Sequence, residues 1–169
     1  ITVTEGTQRQ LANSEFISRS SAGPANEGQT PVLQSISTAA QGTAILNGDG
    51  TVTYTAPSAY EGPDSFTYTI TDSVATVTAT VSINVVDQND PPVAVDDTIN
   101  ATEDTPITFT EQEFVAAVLA NDRPGPANEV ANGQVVTLQS IDATGSAGGT
   151  WVANANGTYT YTPPQNVFG

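Results

Sequence analysis

The chain has 169 residues, room for one large domain or two small ones. Eighteen acids stand against three bases (Arg9, Arg19 and Arg123), for a net charge of −15; this excludes the basic surface a nucleic-acid partner requires and sets the chain against anionic membranes. With no cysteine, histidine or lysine, the chain lacks disulfides, histidine- or cysteine-ligated zinc, histidine-activated nucleophiles, Schiff-base lysines and lysine–asparagine isopeptide cross-links, and it reads as a non-enzyme.

In chain order the elements are strands with short interruptions. Ser14 opens one helical turn. Asn47-Gly48-Asp49-Gly50 is a hairpin turn in which glycine supplies positive φ. Phe66, Tyr68 and Ile70 form one apolar face. Thr76 through Val85 alternates strictly, with Val77, Ala79, Val81, Ile83 and Val85 on one side, which predicts a half-buried strand. A helical turn after Thr110 has Glu113 three residues on, the spacing of a capping box. Trp151, beside Val152, reads as core rather than as a sugar-stacking platform. Ala155-Asn156-Gly157 is a second hairpin turn. Tyr54, Tyr159 and Tyr161 read as sheet residues with their hydroxyls at the surface. Short strands at this density predict an all-β fold, a β-sandwich. No apolar run is long enough for a membrane-spanning helix.

Laid on itself, the chain contains two repeats. Thr4-Glu5-Gly6-Thr7 matches Thr102-Glu103-Asp104-Thr105, and Glu15-Phe16 matches Glu113-Phe114. Gly23 through Glu27 matches Gly125 through Glu129. Leu33-Gln34-Ser35-Ile36 is identical to Leu138-Gln139-Ser140-Ile141. Gly50-Thr51-Val52-Thr53-Tyr54-Thr55 matches Gly157-Thr158-Tyr159-Thr160-Tyr161-Thr162. The expected architecture is two tandem Greek-key β-sandwiches, residues 1–88 and 89–169. The first strand of the first is incomplete and the last strands of the second are absent. Gly169 is the counterpart of Gly62, so no second copy of Asp64 through Val86 is present. Two readings stand: a window on a longer repetitive chain, or strand complementation between subunits.

The seam reads Asp87-Gln88-Asn89-Asp90-Pro91-Pro92-Val93-Ala94-Val95-Asp96-Asp97. Two prolines stiffen it. Asp87, Asp90, Asp96, Asp97, Glu103 and Asp104 fall within it and just beyond, with no base among them. Carboxylates are the oxygen ligands that calcium takes. Alternatively, the acids form a solvated, metal-free hinge.

The segment Asp87 through Pro92 resembles the calcium-binding linker of cadherins. The Pro-Pro-Val-Ala-x-Asp-Asp opening, the Thr-Glu-Asp-Thr loop, Leu119–Asp122, the Asn-Gly-Asp-Gly hairpin and Asp64 through Thr69, in that order, resemble bacterial cadherin-like or Ig-like tandem repeats of large extracellular surface adhesins. The resemblance covers nearly the whole chain. It implies a calcium-stiffened spacer or stalk at the cell surface, with neighbouring repeats as partners. It also implies Asp87, Asn89 and Asp90 as calcium ligands, Glu5 as a ligand from a loop near the end of its domain, and Asp64, Asp96 and Asp97 as looser candidates. The mid-domain acidic motif of cadherins is missing, and the stretch after Asp122 carries one acid, Glu129. Two other functions remain: a subunit of an extracellular filament built from identical copies, and a carbohydrate-binding module.

Overall fold

β-branched and aromatic residues at every second position pack well on a pleated surface, and they place the strands. The structure, a computed structural model, describes residues 1–18, 20, 29–145 and 148–165. The chain divides into two units, Ile1–Asn89 and Asp90–Gly169.

Unit 1 contains β1 (Thr2–Thr4), β2 (Gln8–Leu11), α1 (Asn13–Ile17), β3 (Val32–Ile36), β4 (Thr43–Leu46), β5 (Val52–Thr55), β6 (Gly62–Thr71) and β7 (Thr76–Val86). One sheet has the order β1-β7-β6-β3 and the other β2-β5-β4. β1 runs parallel to β7; the other pairs are antiparallel. The two sheets enclose a core of Val3, Leu11, Phe16, Val52, Tyr54, Phe66, Ile83 and Val85. Burying each large apolar side chain stabilises by about 1.5–3 kcal/mol, which lets so small a unit fold without disulfides. Phe16, carried in by the short helix, meets Tyr68 of β6 edge-on with ring centroids 5.2 Å apart.

The strict alternation of β7 is present, but its burial is not uniform. Ile83 and Val85 are buried, whereas Ala79 is exposed and Val77 is 62% exposed. β1 pairs only with Asn84 through Val86, so the first half of β7 lacks that neighbour among the described residues. Sequence period reports which way a side chain points; the reach of neighbouring elements decides whether it is covered.

Unit 2 contains β8 (Ile107–Thr110), α2 (Glu111–Val118), α3 (Ala127–Ala131), β9 (Thr150–Ala153) and β10 (Thr158–Thr162). Its described strands form one sheet, β8-β10-β9. The register repeats that of unit 1: Trp151 opposes Tyr161 as Ala44 opposes Tyr54, and Phe109 opposes Tyr159 as Leu11 opposes Val52. The hairpin turns are copies. Asn47 Nδ2 donates to Thr51 and Thr53 hydroxyls, both at 2.9 Å, and Asn154 Nδ2 to Thr158 and Thr160, again at 2.9 Å. Gly50 at φ +81° and Gly157 at φ +79° close them, as the turn pattern requires.

The helix after Thr110 forms with its capping box. Glu113 N–H donates to Thr110 Oγ1 at 3.2 Å, and Glu113 Oε2 accepts from Thr110 N–H at 2.9 Å. It runs two turns rather than one. In unit 1 the expected start at Ser14 moves back to Asn13. Glu15 Oε2 accepts from Ala12 N–H at 2.7 Å, but alanine offers no side-chain oxygen in return. That missing half of the box accounts for the weaker sequence signal.

Candidate functional site

The expected site residues are carboxylates, and the structure sorts them by what already holds them. Asp64 lies in β6 and is 5% exposed. Its Oδ2 accepts from the Tyr54 hydroxyl at 2.6 Å and from Gly42 N–H at 2.8 Å; its Oδ1 accepts from Gln41 N–H at 2.9 Å and Ser65 N–H at 2.7 Å. Burial works against its charge, but the four donors, led by Tyr54, outweigh burial and hold its carboxyl below the ordinary value. Burial first, then the hydrogen bond and charge of Asp64, push the Tyr54 hydroxyl far above its usual range. Tyr54 has no exposed surface, which corrects the expectation that its hydroxyl reaches solvent. The tyrosine bridges the two sheets, joining β5 to β6. Gly42 makes this possible: a Cβ there would stand 2.7 Å from the Tyr54 hydroxyl and 2.5 Å from the Thr55 carbonyl. Asp64 is a buried carboxylate whose two oxygens are held by four donors of the interior.

Glu5 is also 5% exposed, in the turn after β1. Thr7 N–H and hydroxyl both bond the Thr4 carbonyl, at 3.2 and 2.6 Å, and set the turn. Glu5 Oε2 accepts from Tyr60 N–H at 2.9 Å and Oε1 from Gln88 N–H at 3.0 Å. The carboxylate therefore pins the exit of β7. Asp87, half-buried one residue before Gln88, brings a carboxylate oxygen within 4.8 Å of one from Glu5.

A sandwich of a four-stranded and a three-stranded sheet, repeated in part in a second unit with the same registers, has a counterpart among known families. The family model of the bacterial Ig domain matches the chain twice, over residues 1–84 and 89–169. The chain belongs to the bacterial Ig domain family. No protein with a curated description matches it. Bacterial Ig domains are typically structural modules and often occur in surface proteins, so the chain is a tandem structural repeat module. Among the described residues, no helix is long and apolar enough to cross a membrane.

In the second Ig domain the remaining candidates separate. Asp90 donates its N–H to Glu129 Oε1 at 2.7 Å. Asp96 is exposed and its carbonyl accepts from Asn121 Nδ2 at 3.4 Å; Val95 N–H donates to Asp122 Oδ1 at 2.8 Å. Val93 and Arg123 exchange backbone hydrogen bonds of 2.9 and 3.0 Å. The Leu119–Asp122 stretch therefore clamps the chain entering this domain. Asp97 lies elsewhere, among the residues lining a cavity of about 670 Å³. In the first domain, Asn89 is exposed.

Sequence reading passed over Glu129. It is fully buried, accepts from Asp90 N–H and is also bonded by the Gln134 side-chain amide. The available signal was its place at the end of the repeated Gly-Pro-Ala-Asn-Glu block. The first copy of that block, Gly23 through Glu27, lies outside the described residues. Trp151 is half-buried among aromatics, with ring centroids 4.9 Å from Tyr161 and 5.0 Å from Phe114. It packs there as a core residue would.

Proposed function

We propose that this chain is a spacer in the stalk of a bacterial cell-surface protein, and that calcium at the acidic seam stiffens it. The observation that supports this reading is the Glu5–Asp87 pair, with carboxylate oxygens within 4.8 Å. Two oxygens bound to one calcium at 2.3–2.6 Å stand at most about 5 Å apart, so the pair fits one ion. Without a cation, two carboxylates held this close repel each other. Asn89 and Asp90 follow in the chain and are the further ligands of the proposal. The part played by the protein is mechanical: sheets that resist extension, joined by segments whose stiffness follows the ion.

The test is a thermal melt of the chain in EDTA and in millimolar calcium, with small-angle scattering alongside. Ligand linkage predicts a gain of about 2.7 kcal/mol at a hundredfold excess over the dissociation constant. Glu5→Gln and Asp87→Asn should each remove most of that gain. Identical melts and scattering in both buffers would remove calcium from the account and leave a metal-free tandem spacer.

A further inference from the structure

We propose that Asn132-Gly133 is a self-modification site. The asparagine loses its amide to the backbone of the following glycine, and the product loosens the hold of Gln134 on the buried Glu129. The chain contains three Asn-Gly pairs: Asn47-Gly48, Asn132-Gly133 and Asn156-Gly157. In such a pair the backbone nitrogen after asparagine can attack the side-chain amide carbon, because glycine has no Cβ to screen the approach. Asparagine is accordingly among the thermolabile residues. The attack requires the side chain to swing over its own peptide group, so what holds each side chain decides which pair reacts.

The structure holds two of the three. Asn47 is half-buried, and its Nδ2 donates to the Thr51 and Thr53 hydroxyls, both at 2.9 Å. Its N–H donates to the Thr51 carbonyl at 2.8 Å, and its own carbonyl accepts from Gly50 N–H at 3.0 Å. Asn156 is exposed, but its Oδ1 accepts from the Thr158 hydroxyl at 2.8 Å and from Thr158 N–H at 3.3 Å. Gly157 N–H, the attacking group, donates to the Asn154 carbonyl at 3.0 Å. Both pairs sit in hairpin turns closed by strands on either side. Asn132 sits instead at the end of α3, a helix of five residues, and is exposed. Gly133 follows at φ +81°, the left-handed residue that ends a helix. Its N–H is held by a bond of 3.1 Å to the Val130 carbonyl, in a turn of the kind that frays.

The chemistry is ring closure followed by hydrolysis. The Gly133 nitrogen gives up its proton and bonds to Asn132 Cγ. The Nδ2 nitrogen leaves as ammonia with that proton, and a five-membered succinimide remains. Water then opens the ring at one carbonyl to give aspartate, or at the other to give isoaspartate, in which the main chain runs through the former side chain. The isoaspartate form lengthens the backbone just before Gln134. Gln134 N–H donates to the Glu129 carbonyl at 3.0 Å, and its side-chain amide donates to the Glu129 carboxylate. Glu129 is fully buried and also accepts from Asp90 N–H. Moving Gln134 takes a donor from a buried carboxylate, which is unfavourable. The segment that opens the second domain therefore loosens as the chain ages.

The experiment holds the full 169-residue chain in warm, mildly alkaline buffer and follows each pair by peptide mass mapping, with enzymatic methylation to mark isoaspartate. Asn132 should convert at least about tenfold faster than Asn47 or Asn156, the scale of the net hydrogen bonds that hold those two. In denaturant the three pairs should convert at closely similar rates. Thr53→Val, which removes one hydroxyl holding Asn47, should speed conversion there and leave Asn132 unchanged. Hydrogen exchange at Asp90 and Gln134 should rise in the converted chain, and should not rise in an Asn132→Ser chain aged alongside it. The inference is overturned if Asn132 converts no faster than the other two in the folded chain, or if denaturant leaves the ranking as it was. Conversion at Asn132 with Asp90 and Gln134 as protected as before would overturn the loosening.

Discussion

The two Ig domains carry the same tyrosine in the same strand position, opposite equivalent neighbours. Tyr54 has no exposed surface and donates to Asp64; Tyr161 is half-buried and has no acceptor among the described residues. Their hairpins, glycine contacts and strand registers agree. What differs is the hairpin of β6 and β7, which covers the first domain and has no counterpart among the described residues of the second. The comparison shows that sealing is a tertiary property. A strand can have its register, turn and cap in place and still lack a core on one face, because the core belongs to two sheets together.

The largest effect expected is from Phe66→Ala, which empties the centre of the first core. It should destabilise that domain by about 3–5 kcal/mol while leaving the unfolding transition of Trp151 in place. Circular dichroism reports both domains and tryptophan fluorescence only the second, so the two signals should come apart. If they move together, the domains unfold as one and the comparison fails. Next is Tyr54→Phe, which strips a donor from the buried Asp64 and should cost about 1–3 kcal/mol. Tyr161→Phe should cost almost nothing by the same measurement.

The pair also sets a pH response specific to the first domain. The carboxyl of Asp64 is lowered in the fold, so its contribution is complete above the ordinary carboxylate value and is lost as pH falls through the lowered one. The Tyr54 hydroxyl is raised, so its contribution is complete below the ordinary value of 10.0 and is lost as pH rises past it. In an alkaline spectrophotometric titration Tyr54 should be the last tyrosine to ionise, and Asp64→Asn should bring it earlier. Thr110→Ala, which breaks the capping box of α2, should cost about 1 kcal/mol by Trp151 fluorescence. Smallest is Val77→Thr, on the exposed half of β7, which should stay within about 0.5 kcal/mol by thermal melting.

Much of this was legible in the sequence, because it is written locally. Glycine and asparagine at fixed spacing specify the two hairpins. Thr110 and Glu113 specify the cap. The repeated blocks show the tandem organisation. What escaped depends on contacts between distant segments. Nothing near Tyr54 announces that Asp64, ten residues on and in the other sheet, will bury its hydroxyl. Nothing around Leu138 says that a segment identical to β3 has no strand partner among the described residues. Among the acids, charge density drew attention to the seam, but burial separates them. Asp64 is held by four internal donors, Glu5 and Glu129 are buried against backbone N–H groups, and Asp96 and Asp97 are exposed. Burial of a carboxylate is set by the fold around it and leaves no local pattern in the chain.

Among the described residues, Leu33–Ile36 has a strand partner in β6, and the identical Leu138–Ile141 has none. Hydrogen exchange tests it most directly, because Leu33–Ile36 and Leu138–Ile141 have the same side chains and nearly the same intrinsic exchange rates. Amides bonded to β6 in the first segment should be protected at least about a hundredfold more than their counterparts in the second, which tracks a difference in opening free energy near 2.7 kcal/mol. Equal protection in the two segments would contradict it, and would mean that the second domain closes its sheet by pairing of its own.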